Sequence, residues 1–529
     1  MDSSMPEADA FLIVDGHFAA VGTREEVSAL AGDTATYIDL QGLTVLPGFN
    51  DAHLHPLLIP PGAISLASAN NVDQLVSALS SHAQAMPKST WVLGFEYDDQ
   101  AIGRHLNRRD LDRVSTARPV LAWHASGHLA AVNSLALRTA GLDKDFVDPV
   151  GGFFYRDKAG QPTGLISERP AFEVLFVNDQ PSPMVSDLSG ALSGLELFAE
   201  RAHSLGITSV TDALVPPELA LAYWLWSPED SGLRVNLILD GDSLTTAKRL
   251  IRANDITSRA GFNAFGNAWL RARSIKIFHG HSLSGRTTRL HTAYEGRPDY
   301  FGVDPQRSQA ELDALVLDIH NAGIQAAIHA NGDYEIDMAL NAIEKAIGRD
   351  QRDHRHRIEH GSVVNSDILQ RMADLNIVYA PHSYIYEKGP MIDAYGAHRW
   401  NWMFANASSF EYGIPNAANS DFPISGLSPM LRIQSLVTRK SRGGKIYGPQ
   451  QRISVEQALY AYTMGSAFAS FEDKSKGSIT TGKFADFIVV SQDPRQTAPE
   501  LLSKIEVQQT YVAGIKRFDR YDGNGSINE

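Results

Sequence analysis

Between residues 206 and 423 the chain alternates short apolar runs with stretches of helical periodicity, and this alternation limits the fold more than any other feature. The runs are GITSVTDA (206–213), RSIKIFHG (273–280), GIQAAIHANGD (323–333), RHRIEHG (355–361), NIVYAPHS (376–383) and IPNAANSDFP (414–423). Between them, SQAELDALVLDIHNAG (308–323) and DYEIDMALNAIEKAIG (333–348) space their apolar residues as one helical face. Strands alternating with helices build a parallel sheet. Repetition over about 300 residues favours closure into an eight-fold barrel. The stretch at about 60–175 breaks the rhythm with STWVLGFEYDD, RPVLAWHASGHLAAVNSLALRTAG and a turn-rich piece, and reads as an α/β insertion after the first barrel strand.

The two ends are β-rich instead. AFLIVDGHFAAVG (10–22) has a hairpin signal at Asp15-Gly16, and ATYIDLQGLTVLPG (35–48) reads as a further pair of strands. GSITTGKFADFIVVSQDP (477–494) and VQQTYVAGIKRFD (507–519) repeat this character near the C-terminus. A chain of 529 residues exceeds one simple domain. Its formal charge of −14 argues against a nucleic-acid partner, which would require a basic face. There is no cysteine, so thiolate chemistry is excluded and any metal must use His, carboxylate or modified Lys. The first residues lack a basic stretch followed by an apolar one, and no apolar run is long enough to span a membrane. A cytoplasmic protein with no membrane partner is expected.

The chemistry starts at LPGFNDAHLHP (46–56). His53 and His55 are two residues apart, so in a strand both imidazoles point to one side. Later runs end on His329 and His360, and IPNAANSDFP carries Asp421. In a β/α barrel the strand C-terminal ends share one mouth, where active sites lie. Five such residues converging there make a divalent metal site. Lys276 lies inside the apolar SIKIF, where an ammonium is costly to bury. It is either a lysine snorkelling to solvent or one neutral enough to react with carbon dioxide and become a bridging carbamate. Glu168, in GLISERP, is the rival carboxylate, with a plain helix-start glutamate as its alternative.

These motifs together resemble the metal-dependent amidohydrolase superfamily, whose first strand reads Pro-Gly-hydrophobic-x-(Asn/Asp)-x-His-x-His. KIF, IHANGD, RIEH and NSDFP agree with it, and the C-terminal segment 477–494 is similar to the superfamily's closing β-sandwich segment. SGHLAAVNSLAL, AGQPTGLISE and IHANGD resemble the large-insert amidohydrolase 3 branch, which includes N-substituted formamide deformylases. The resemblance implies a (β/α)8 TIM-like barrel over 48–472 and a composite β-sandwich from 1–47 plus 473–529. It implies His53 and His55 as ligands of a first metal, His329 and His360 as ligands of a second, and Lys276 bridging them as an N6-carboxylated lysine. Asp421 would ligate weakly, act as general base and then protonate the leaving amine. Two departures stand out. Where a small residue and Asp-Gly-Ser are expected after KIF, the chain has His279-Gly280-His281, and the first sandwich strands are short.

The expected function is hydrolysis of a C–N bond in an amide, formamide or cyclic amide, with one or two divalent ions, zinc first among them. An ester or lactone hydrolase, an isomerase or lyase on the same metals, and a catalytically silent scaffold are the alternatives. His128, His281, His382 and Trp123 are candidates for substrate contact, Trp123 with core packing as its alternative. The aromatic segment AYGAHRWNWMFA (394–405) reads as a lid, an apolar wall or an oligomer contact. The expected partners are a small-molecule substrate and a second copy of the chain in a dimer.

Overall fold

Seven strands form one parallel sheet in the structure, a computed structural model. In spatial order they are Val378–Pro381, Arg357–His360, Gln325–Ala330, Leu270–Phe278, Arg234–Asp240, Ile207–Val215 and Phe49–Leu54. The residues described are 7–59, 62–87, 91–176, 188–217, 219–259, 266–350 and 352–521; side chains at 253–259 are left aside. The expected domain ends at 1–6 and 522–529 lie outside them, as does part of the run beginning at 89. Nearly every residue of these strands is buried, as expected for parallel strands covered on both faces.

The run at 414–423 is not a regular strand, yet it closes the ring. Tyr379 N donates to Pro415 O and Ala417 N to Tyr379 O on one side, both at 2.9 Å. On the other side Asp421 N donates to His53 O at 2.9 Å and His55 N to Phe422 O at 2.7 Å. Side-chain amides replace part of the missing ladder: Asn419 Nδ2 reaches the carbonyls of Ala380 and Pro381 at 3.3 and 3.0 Å. Such side-chain bonds compete with a regular ladder, which is why this Asn-rich run pairs irregularly.

The first hairpin pairs Ala10–Val14 with His17–Gly22 around Asp15 and Gly16, both at positive φ, the geometry of a two-residue hairpin turn. The expected pair of strands at 35–48 is a single one, Thr44–Pro47. The segment before it stays a turn because Asp39 Oδ1 accepts from Gln41 N at 2.8 Å, with Gln41 and Gly42 both at positive φ. Thr44–Pro47 edges a four-stranded antiparallel sheet with Phe487–Val490, Val507–Val512 and Ile515–Asp519. Phe18, Phe487, Val489 and Tyr511 are buried together, with Phe11 and Val45 packed against them. The two small sheets thus share apolar contacts between the two ends of the chain, within the same compact unit as the barrel.

That unit comprises 1–56, 192–278 and 311–529; the other comprises 57–191 and 279–310. The second unit holds a six-stranded mixed sheet in the order Ile64–Ser65, Val92–Tyr97, Val120–His124, Leu129–Val132, Pro162–Ser167, Phe153–Arg156. Its faces follow the two-residue strand period. Leu93, Phe95, Leu121, Trp123, Ala130 and Val132 pack in one core, while Val92, Val120, Ala122 and Ala131 pack in the other. Among the described residues, no helix is long and apolar enough to cross a membrane.

Candidate metal centre

His53, His55, Lys276, His329, His360 and Asp421 come together in the barrel unit, at or near the ends of their strands. His55 Nε2 lies 3.4 Å and His53 Nε2 3.6 Å from Asp421 Oδ1, and Lys276 Nζ lies 3.5 Å from His53 Nε2. Four donors about 2.1 Å from one ion at tetrahedral angles are about 3.4 Å apart, so these separations are those of a shared cation. The ring centroids of His53 and His360 are 4.7 Å apart, and those of His329 and His360 4.5 Å. His360 Nδ1 is buried with no hydrogen-bond partner, a cost that a cation would remove. The donors are imidazole nitrogens, a carboxylate and an amine, a set suited to zinc and its neighbours.

The backbone is strained where these donors stand. His360 has φ 72° and Asp421 φ 54°, in the left-handed region that non-glycine residues avoid. Each costs about 1–3 kcal/mol and persists only where surroundings impose it. Here they do, through Gly361 N to Ala330 O at 3.0 Å and Asp421 N to His53 O at 2.9 Å.

Electrostatics favours neutral imidazole at His53 and His360. Burial, with Lys276 and the neighbouring imidazoles, holds both well below the usual histidine range. Burial opposes protonation of His55 too, but Asp212 and Asp421 outweigh it and raise its pKa. Lys276 is 2% exposed, and burial lowers its ammonium to about 8 against the opposing pull of Glu359 and Asp421. It does not snorkel to solvent, and burial enlarges the share of the neutral amine, the form that reacts with carbon dioxide.

His382 joins this group, which its expected role in substrate contact did not include. Its Nδ1 is 3.6 Å from Asp421 Oδ2 and its ring stacks on His360 at 4.2 Å, so His360, His382 and Asp421 form a second set with cation spacing. Glu168 lies in the other compact unit, beside His128 and His281. It does stand before a helix, Arg169–Leu175, but its side chain does not cap it. Trp123 is 9% exposed in the core of the second unit. The segment 394–405 forms short 3₁₀ turns.

Sequence reasoning missed the residues behind the donors. Glu359 accepts a short hydrogen bond from His53 Nδ1 and is gripped by Arg357, Nε to Oε1 at 2.6 Å and Nη2 to Oε2 at 2.9 Å. Asp212 Oδ1 lies 3.8 Å from His55 Nδ1, and Tyr223 donates to its other oxygen at 2.5 Å. Asp51 accepts from Ser420 N at 3.1 Å, and burial raises its carboxyl to about 7. Asp212 was findable, since it stands near the end of the second barrel strand as His329 does on the fifth. Glu359 points away from the donor series along its own strand, and only a folded chain brings it under His53.

A third gathering, Asp99, His105 and His124 in the second unit, has the spacing of a cation site. His124 Nδ1 lies 3.0 Å from Ser126 N and 2.8 Å from Ser126 Oγ, and its Nε2 lies 3.0 Å from Asp99 Oδ1.

A parallel α/β barrel with imidazoles, a lysine and a carboxylate gathered at its strand ends defines a class, the barrel hydrolases that work with divalent metals. The chain belongs to the Amidohydrolase family, whose sequence profile matches residues 36–515, and it is a metal-dependent hydrolase acting on carbon–nitrogen bonds. It is 30% identical to YtcJ of Bacillus subtilis (strain 168), named for the same amidohydrolase class, over 96% of this chain and 95% of that one. It is 28% identical to the N-substituted formamide deformylase of Arthrobacter pascens, over 97% and 95% of the two chains. A metal-dependent hydrolase from Pyrococcus horikoshii OT3 shares the fold, with TM-score 0.71, 22% identity and coverage of 92% and 94%.

Proposed function

We propose that the protein hydrolyses the C–N bond of a small amide, formamide or cyclic amide at the centre formed by His53, His55, Lys276, His329, His360 and Asp421. The observation that carries this is Asp421 Oδ1 standing 3.4–3.6 Å from two imidazole nitrogens on the first strand. His53, His55, His329 and His360 would hold zinc or a similar ion, with Lys276 as a carbamate between two ions. When bound, the metal supplies Lewis acidity, lowering the pKa of water and polarising the substrate carbonyl.

The chain's residues do the rest. Asp421 takes the proton of the attacking water as the O–C bond forms. It then gives that proton to the amine nitrogen as the C–N bond breaks, leaving a carboxylic acid and an amine. Its left-handed backbone is held by the first strand, which keeps the carboxylate beside His53 and His55. His382, stacked on His360, orients the substrate oxygen. Formamides are preferred within the class because an N-substituted formamide deformylase is among the relatives. We further read the two small sheets as one composite domain, and the protein as a cytoplasmic dimer.

The test is elemental analysis of protein purified without chelator, with N-formyl and N-acyl amine hydrolysis assayed on the same sample. Bound zinc or a similar ion with formamide turnover supports the reading; no metal, and no activity restored by zinc or manganese, refutes it.

A further inference from the structure

Three buried histidines meet in the barrel unit where the strands Gln325–Ala330 and Arg357–His360 begin, and the reaction proposed above uses none of them. His320 lies in the last turn of the helix Gln309–Asn321, and His354 and His356 lead into the strand Arg357–His360. His320 Nδ1 is 2.9 Å from His356 Nε2, and the rings of His354 and His356 stack with centroids 4.6 Å apart. Ala326 N donates to His356 Nδ1, and His356 N donates to His354 Nδ1, both at 3.0 Å. The ladder between the two strands starts at Ala327 and Arg357, so the His356 imidazole extends it by one bond.

The proton positions follow from the backbone donors. A ring nitrogen that accepts from a backbone N–H carries no proton, so His354 and His356 each hold theirs on Nε2. His356 Nε2 therefore donates to His320 Nδ1, and His320 keeps its proton on Nε2, 3.1 Å from Asp350 Oδ2. The His354 proton goes to the backbone of Leu375. All three rings are neutral, and each Nδ1 lone pair already faces an N–H. A further proton on any of these nitrogens has to break a bond that the fold uses.

The charges around the cluster are set by the chain leading into the second strand. Burial, the largest effect, holds all three rings below the usual histidine range, and Arg352 adds to it at each. Asp350 pulls the other way at His320 but is shared with Arg352, Nε to Oδ2 at 3.1 Å. Asp353 pulls the other way at His354 and is paired with Arg355, which also holds Asp473. Unfolded histidines titrate near about pH 6.5, so the stability these rings lend is complete above that and lost as the pH falls.

We propose that His320, His354 and His356 form an acid-opened clasp: near neutral pH they tie the starts of the strands Gln325–Ala330 and Arg357–His360 to the helix Gln309–Asn321, and in acid proton uptake breaks the bonds from Ala326 N and His356 N and frees these strand starts while the rest of the barrel stays folded. The bonds lie at the end of the ladder, where a local opening disrupts least. Three rings joined in series open together, because each proton taken up removes the partner of the next ring.

The test does not depend on the reaction proposed for the metal centre. Hydrogen exchange of the full-length protein is followed by mass spectrometry on peptides covering 322–328 and 354–360, with 270–278 as the reference strand. Corrected for the pH dependence of exchange itself, protection at 322–328 and 354–360 should fall at least about tenfold from pH 6 to pH 5, as expected for one or more protons taken up on opening. Protection at 270–278 should stay within about threefold over the same step. His354→Asn combined with His356→Asn keeps an oxygen acceptor for each N–H and removes two titrating rings, so the fall at the two segments should shrink to within about threefold. If that variant does not fold, the wild-type comparison decides alone. Protection at the two segments that is steady in the wild type, an equal fall at 270–278, or a folded double variant that opens as the wild type does each overturns the proposal.

Discussion

Glu359 offers the sharpest test of how the proposed metal centre is held. It accepts the Nδ1 proton of His53, fixing the tautomer that leaves Nε2 available beside Asp421 and Lys276. Arg357 neutralises it with two hydrogen bonds and donates a further one to Ala52 O at 2.9 Å, tying the pair to the first strand. All three side chains are fully buried. Two perturbations separate orientation from charge. Glu359→Gln keeps the volume and weakens a charge-assisted bond, and losing such a partner behind a metal-bound histidine typically costs about 10–100-fold in metal affinity. Glu359→Ala leaves the Arg357 guanidinium buried without its counter-ion, which costs about 3–5 kcal/mol. That is a large share of a typical stability of about 5–15 kcal/mol. The assays are metal affinity by competition with a chromogenic chelator, and urea unfolding of the chelated protein. Metal binding by Glu359→Gln within twofold of wild type, or no loss of stability in chelated Glu359→Ala, would refute this account of the relay.

Other expectations follow from single sites. Asp421→Asn should keep most of its bound metal but lose turnover by at least about a hundredfold, the usual weight of general acid–base catalysis; activity within a few-fold would remove Asp421 as the base. Lys276→Ala should lower metal content, with partial recovery in small carboxylic acids, and unchanged content would make Lys276 structural. His279 is fully buried with neither ring nitrogen hydrogen-bonded, and burial, then Arg307 and His281, pushes it down to about 3. His279→Leu should therefore stabilise the protein by about 1 kcal/mol or more, read as a higher urea midpoint; a drop would reveal an essential imidazole contact. The pH dependence has a definite sign. His279 at about 3 and His203 at about 4 are both depressed by burial, against about 6.5 when unfolded. The unfolded chain takes up these protons first, so their contribution is complete above about pH 6.5. It is lost at about 1.4 kcal/mol per pH unit for each histidine as pH falls toward about 4. Urea midpoints at pH 7.5, 6 and 5 measure this slope, which should be shallower in His279→Leu.

Much of the centre was legible before folding because strand geometry is local. The two-residue period puts His53 and His55 on one side, and the barrel rule sends His329, His360 and Asp421 to the same mouth whatever lies between them. Lys276 was conspicuous because an amine inside an apolar run violates burial energetics. The alternation of strands and helices announced a parallel barrel for the same reason, since each unit is specified by its own few residues. The run at 414–423 shows the limit of such reading. Its asparagines were visible, but that their amides would bond to Ala380 and Pro381 in place of a regular ladder depends on where the neighbouring strand lies.

What only the tertiary structure decided is which charged groups stand beside which partners. Glu359 reaches His53 across 306 residues. Glu168, read from the sequence as a rival bridging carboxylate or a helix-start glutamate, is paired with His128 and His281. His382 joins His360 and Asp421 only because the seventh strand runs beside the sixth. Spacing along the chain tells which side chains share a face of one element. Buried charges are instead stabilised by partners brought close in space, and those distances exist only once the chain has closed on itself.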